Sequence, residues 1–171
     1  MTGKASAARP RRRETLSAHP GDPVFYRGDD YQVDESVGYL LRRLRAQLDR
    51  AIDAEMAEYD LTSVQWGPLL AIALGMGDTA AELARVAYVD TGAMTRMLDR
   101  LEAKGLVGRS RCARDARVIR LELTREGRRL ARRVPFGLSR VLNHFLRGFT
   151  RAEVETLKSM VRRMLVNAEA R

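Results

Sequence analysis

The chain has 171 residues, of which 45% are hydrophobic and 31% charged, so it can bury the core of one domain. It contains no apolar run of about 18 residues, and its basic start lacks the apolar stretch of a secretory signal. We therefore expect no membrane span and no export. Cys112 is the single cysteine, which excludes an internal disulfide and fits a reducing, cytoplasmic location.

The net charge of +9 is concentrated in one segment of the chain. Residues 91–133 carry thirteen basic and five acidic side chains, a net charge of +8, whereas residues 36–90 carry five basic and eight acidic ones, a net charge of −3. A local excess of positive charge is what binding to a phosphate backbone requires. A solvated surface that happens to be basic has the same composition, so motifs must decide between the two.

Residues 1–35 are rich in Pro, Gly, Asp and Arg and have no lasting apolar period, which predicts a flexible basic and polar tail. The arginines at 9 and 11–13 can either touch DNA phosphates or only keep the chain soluble. Over residues 36–60, apolar residues recur at steps of three, four and seven, which predicts one long first helix.

Residues 61–123 are predicted to form three helices followed by a hairpin. We expect a capping box between Thr62 and Gln65 to open the second helix, and Gly75 to end it. A second capping box at Thr79 opens a short third helix, and Asp90 caps the fourth. The fourth helix has an inward stripe of apolar residues at the spacing i, i+3, i+4 and i+7: Met94, Met97, Leu98 and Leu101.

The pattern then changes to a period of two, which is typical of a strand. Ile119, Leu121 and Leu123 share one face of a strand that can pair with residues 106–110, and residues 111–117 form a basic hairpin loop. Residues 124–171 predict two further helices: a fifth, kinked at Pro135, and a sixth that begins with a capping box at Thr150.

Helix, short helix, tight turn, helix and basic hairpin is the order of a winged helix-turn-helix, in which the fourth helix enters the major groove. Its candidate DNA-contacting side chains are those that point away from the apolar stripe. Each of them can also be an ordinary exposed residue, and for Asp99 this is the better interpretation. In the hairpin, arginines can enter a narrow minor groove, and an acid can hold one of them in place. The candidates are Thr91, Gly92, Ala93, Thr95, Arg96 and Arg100 in the helix, Arg114 and Arg117 in the hairpin, and Asp115 as the structuring acid.

Four segments resemble the MarR family of winged helix-turn-helix transcription regulators. The run Asp90–Val107 is similar to the recognition helix of that family, and Asp115-Ala116-Arg117 is similar to its Asp-x-Arg wing motif. Leu123-Thr124-Arg125-Glu126-Gly127 matches the Leu-Thr-x-x-Gly that follows the wing, and Leu61-Thr62-x-x-Gln65-Trp66 matches the opening of the second helix. The resemblance covers about residues 36–170.

The resemblance implies a mainly α fold with a small β-hairpin wing, and a homodimer whose first, fifth and sixth helices intertwine. The chain would then begin with a tail (1–35). A first helix (36–60) and the C-terminal helices (124–171) would form the dimerisation region, and residues 61–123 between them would form the DNA-binding domain. The large apolar stripes of the terminal helices also favour a dimer, because a lone winged domain could not cover them. The resemblance also implies a palindromic double-stranded operator, repression, and release by a small aromatic or phenolic acid.

An acidic effector would need a cation and an aromatic wall near the first, second and fifth helices, where Tyr39, Arg43 and Trp66 are candidates. The favoured interpretation of Trp66 alone is a core residue, and that of Arg43 is a solvated one. Cys112, near two arginines, leaves a redox-responsive regulator open. The two histidines are far apart and no catalytic motif occurs, so we expect no metal site, no cofactor and no enzyme. A sequence-tolerant architectural DNA-binding protein remains an alternative.

Overall fold

The computed structural model describes residues 23–111 and 118–170, and these divide into two compact units between Leu40 and Leu41. The prediction of a mainly helical fold with one hairpin is confirmed. Within the described residues, the elements in chain order are α1 (Val37–Met56), a 3-10 turn (Ala57–Tyr59), α2 (Trp66–Ala73), α3 (Ala80–Ala87), α4 (Thr91–Ala103), β1 (Val107–Arg111), β2 (Ile119–Leu123), α5 (Arg125–Phe145) and α6 (Arg151–Glu169).

In the first unit, residues that precede α1 satisfy the free N–H groups at its start. The hydroxyl of Tyr26 accepts a hydrogen bond from the amide of Val37 at 3.0 Å, and the hydroxyl of buried Ser36 accepts one from the amide of Tyr39 at 3.3 Å. The ring of Tyr31 packs edge-on against Tyr26, with centroids 5.6 Å apart. These contacts fix where α1 begins.

The core of the second unit lies under α4 and is built from the predicted stripe. Met94, Leu98 and Leu101 are fully buried, and Met97 is half-buried against them. The other fully buried large side chains come from the end of α1, from α2, α3, β1 and α5: Met56, Leu69, Leu83, Val107 and Val134. A helix with one buried stripe leaves its opposite face in solvent, and on α4 that face is the one predicted to contact DNA.

Most of the predicted helix caps are confirmed, but the one at Thr62 is wrong. The side chain of Gln65 accepts from the amide of Thr62 at 3.1 Å as expected. The amide of Gln65, however, donates to the backbone carbonyl of Thr62 at 2.9 Å and not to its hydroxyl, and the start of α2 has no side-chain cap among the described residues. A turn therefore occupies residues 62–65, and α2 begins only at Trp66.

The two strands pair antiparallel, from Val107 opposite Leu123 to Arg111 opposite Ile119. Leu121 and Leu123 are buried, whereas Ile119 is about half exposed because it lies beyond the core. The amide of Leu121 donates to the carbonyl of Asp78 at 2.8 Å, which joins the outer edge of β2 to the turn between α2 and α3.

Helix α5 continues through Pro135 as one element, so the proline does not end it. Within the described ranges, no helix is both long enough and apolar enough to cross a membrane. The same residues contain no cluster of three or more acidic, histidine or cysteine side chains that could hold a metal ion.

Candidate nucleic-acid interface

A tight turn between α3 and α4 sets the recognition helix. Tyr88 ends α3 in the left-handed conformation, with φ of 53°, and Asp90 then caps α4 by accepting from the amide of Ala93 at 3.0 Å. Glu82 holds the start of α3: its carboxylate accepts from the amides of Asp78 and Thr79, and these hydrogen bonds lower its pKa. Both ends of the short helix are therefore fixed by local contacts.

The exposed face of α4 presents two arginines one turn apart, Arg96 and Arg100. Within residues 23–111 and 118–170, neither guanidinium forms a hydrogen bond or an ion pair. The Arg96 guanidinium lies close to Gly92, since a Cβ added there would stand 3.6 Å from it. An unpaired arginine keeps all five of its donors available for phosphate or guanine.

The residues at the start of α4 differ in how free their side chains are. Thr91 and Gly92 are exposed, and Ala93 is half-buried. Thr95 is exposed, but its hydroxyl donates to the carbonyl of Thr91 at 2.9 Å. The Thr95 oxygen can still accept a hydrogen bond, whereas donating one to a phosphate or a base requires the hydroxyl to rotate away from its own helix.

An ion-pair clamp that the sequence analysis missed joins α4 to the hairpin. Arg109 on β1 pairs with Asp99 at 2.6 Å and with Glu102 at 3.3 Å, both on the outer face of α4. Asp99 is therefore a structural residue. The available signal was two acids three residues apart on one helix face, followed by an arginine in the next strand.

The contacts at the base of the hairpin explain the Leu-Thr-x-x-Gly pattern. The Thr124 hydroxyl accepts from the amide of Gly127 at 3.0 Å and donates to the carbonyl of Gly105 at 2.6 Å. Gly127 lies against the backbone of Leu106: a Cβ added at Gly127 would stand 1.9 Å from the Leu106 carbonyl oxygen. Only glycine allows α5 to start this close to β1.

The structure does not place every predicted site residue. Arg114, Asp115 and Arg117, like Cys112, lie outside the described residues. Tyr39 and Arg43 stand one turn apart on α1, and both take part in contacts within the protein.

Trp66 is the first residue of α2 and packs partly buried against the core. Its indole N–H is buried and has no hydrogen-bond partner among the described residues.

This order of helices, with a paired hairpin after an exposed, arginine-bearing fourth helix, defines a winged helix-turn-helix protein. The MarR family profile matches residues 59–118. The multiple antibiotic resistance protein MarR of Escherichia coli strain K12 is 32% identical over 130 residues, which cover 75% of this chain and 90% of that protein. The chain belongs to the MarR family of DNA-binding transcription regulators.

Solved structures agree with this membership. A mutant of MarR from E. coli, complexed with operator DNA, is 30% identical with a TM-score of 0.70, covering 75% of this chain and 93% of that one. The transcriptional repressor CouR, bound to a 23-mer DNA duplex, is 27% identical with a TM-score of 0.71, covering 77% of this chain and 94% of that one.

Proposed function

We propose that this protein is a homodimeric repressor that binds a palindromic operator through α4 and the hairpin and acts as a regulator, not as an enzyme. The observation that carries the proposal is the pair of exposed arginines, Arg96 and Arg100, which have no partner among the described residues. They lie in the segment of net charge +8. The MarR relative that is 30% identical was solved with operator DNA, which supports the same use of this face.

Dimerisation is supported by helix α6. None of its residues is buried, although it carries an apolar stripe. The side chains of Leu157, Met160, Met164 and Leu165 are 42–55% exposed in the protomer. Covering such a face with a second copy would stabilise both chains, and a two-fold axis between them would match the symmetry of a palindromic operator.

We propose the remaining site residues in the roles that the sequence analysis gives them. Thr91, Gly92, Ala93 and Thr95 would lie at the major groove. The hairpin arginines, Arg114 and Arg117, would contact the minor groove, with Asp115 holding Arg117 in place. An aromatic acid would release the operator from a site near Tyr39, Arg43 and Trp66. The buried indole N–H of Trp66, which has no partner among the described residues, supports this because it could donate to a ligand oxygen.

The test is selection of duplexes from a random pool by the purified protein. We expect enrichment of an inverted repeat whose half-sites are separated by about one helical turn, or a multiple of it. An architectural DNA-binding protein would enrich no sequence, and that outcome would contradict the proposal. Sedimentation at micromolar concentration tests the dimer, which we expect at twice 19.3 kDa.

A further inference from the structure

A groove of about 620 Å³ lies on the DNA-binding part of the second unit, between the end of α2, the start of α3 and the outer edge of β2. Its volume is within the range of small-molecule sites. The carbonyl of Asp78 and the amide of Leu121, which join the wing strand to the α2–α3 turn, belong to residues that line it. A molecule bound here would touch both the α2–α3 region and the wing strand β2.

The apolar part of the groove is aliphatic. Ile72 and Ala73 line it, and Met76 stands exposed at its edge, whereas the side chains of Leu121 and Leu123 are buried in the core behind it. No aromatic ring is among its lining residues in the described ranges. The groove can therefore cover an aliphatic body but offers no ring for stacking.

Most of the charged groups that line the groove are already engaged. Arg120 pairs with Asp78, and Glu82 accepts from the two amides at the start of α3. Arg85 and Arg128 differ from these. The Arg85 side chain forms no hydrogen bond or ion pair within the described part of the chain.

The guanidinium of Arg128 donates once, to the carbonyl of Leu123, which orients it and leaves other N–H groups available. A third acid, Glu122, also lines the groove, so its acids Asp78, Glu82 and Glu122 equal its arginines in number.

We propose that this groove binds a small amphipathic monocarboxylate with an aliphatic body. The carboxylate would be held by Arg85 and Arg128, and the body would lie on Ile72, Ala73 and Met76. Glu82 and Glu122 disfavour a dianion. This site differs from the proposed aromatic-acid site in its residues and in the class of its ligand. Its effect on repression rests on the proposed function, but binding itself does not.

The test is titration of the purified protein, without DNA, with octanoate, followed by the backbone amide NMR signals. We expect saturable shifts at Leu121 and Leu123, and no such shifts with octylammonium, which has the same chain and the opposite charge. Arg85→Met and Arg128→Met should each weaken octanoate binding about fivefold or more. Arg125→Met, one turn earlier on α5 and outside the groove, should leave octanoate affinity unchanged.

Shifts confined to other residues, such as Trp66, or equal octanoate affinity in the wild type and in Arg85→Met, would overturn the proposal. Arg85 has no partner within the described part of the chain, so its variant should fold even if loss of the Arg128 contact to Leu123 disturbs the fold. Because DNA is absent from the titration, a failure of the DNA-binding proposal would appear separately, in the duplex selection.

Discussion

Replacing Gly127 by alanine tests the contact that sets the base of the wing against α5. The new Cβ would stand 1.9 Å from the carbonyl oxygen of Leu106, and 2.9 Å from its carbonyl carbon. Both are backbone atoms, so no side-chain rotation can relieve the clash. The same carbonyl accepts from the amide of Thr124 at 3.1 Å, and that hydrogen bond must lengthen if the two segments move apart.

The expected cost combines three effects. Overpacking costs about 1–3 kcal/mol, and loss of the Thr124 amide hydrogen bond costs about 1 kcal/mol. Alanine recovers up to about 1 kcal/mol relative to glycine in a helix. We therefore expect Gly127→Ala to lower the free energy of unfolding by about 2 kcal/mol.

Urea unfolding at a fixed protomer concentration measures this change. Gly67→Ala is the matched control, because a Cβ at that position in α2 comes within 4 Å of no described atom beyond its chain neighbours and the backbone of its own helix. It should be neutral or slightly stabilising. Equal unfolding free energies for the two variants would refute the reasoning about the close approach.

Three further predictions concern the wing, the pH dependence and the dimer. Arg117→Ala should weaken operator binding and flatten its salt dependence by about one counterion. Asp115→Ala should also weaken binding, although it makes the net charge more positive. Tighter binding by Asp115→Ala in a salt series would show that wing charge matters more than wing order. The pKa of Glu82 is lowered in the fold, so the stability that its carboxylate contributes is present above its usual pKa of 4.5 and is lost as the pH falls through the lowered pKa. Glu82→Gln should therefore reduce the dependence of the urea unfolding midpoint on pH in that range. An unchanged slope of midpoint against pH would contradict this. Leu157→Glu should shift the sedimenting species toward the monomer, whereas Ser159→Glu, the same added charge at an exposed polar position on α6, should not; monomers in both variants or neither would argue against the apolar face.

The elements that the sequence predicted well are those fixed by local chemistry. The stripe from Met94 to Leu101 and the caps at Thr79, Asp90 and Thr150 depend on residues within one or two turns of each other. The cap at Thr62 failed because a capping box requires two reciprocal hydrogen bonds. Here the amide of Gln65 found the Thr62 carbonyl instead of its hydroxyl.

The contacts that the sequence analysis missed join different elements of the fold or depend on fine geometry. The clamp of Arg109 to Asp99 crosses from strand to helix, and the pair of Arg120 with Asp78 spans 42 positions. The use of the Thr95 hydroxyl by its own helix depends on a rotamer. Each of the two ion pairs required the packed arrangement of the elements that it joins, which no periodicity contains.

The central claim is that the exposed face of α4 reads DNA sequence, and Arg96→Ala tests it most directly. The measurement is the affinity for the selected duplex and for a scrambled duplex at one salt concentration, with Lys158→Ala on α6 as a control for lost charge. We predict that Arg96→Ala loses about 1–3 kcal/mol on the selected duplex, much less on the scrambled one, and that the control changes neither. An equal loss on both duplexes would show that Arg96 contacts only phosphate, and no loss on either would contradict the assignment of this face to DNA.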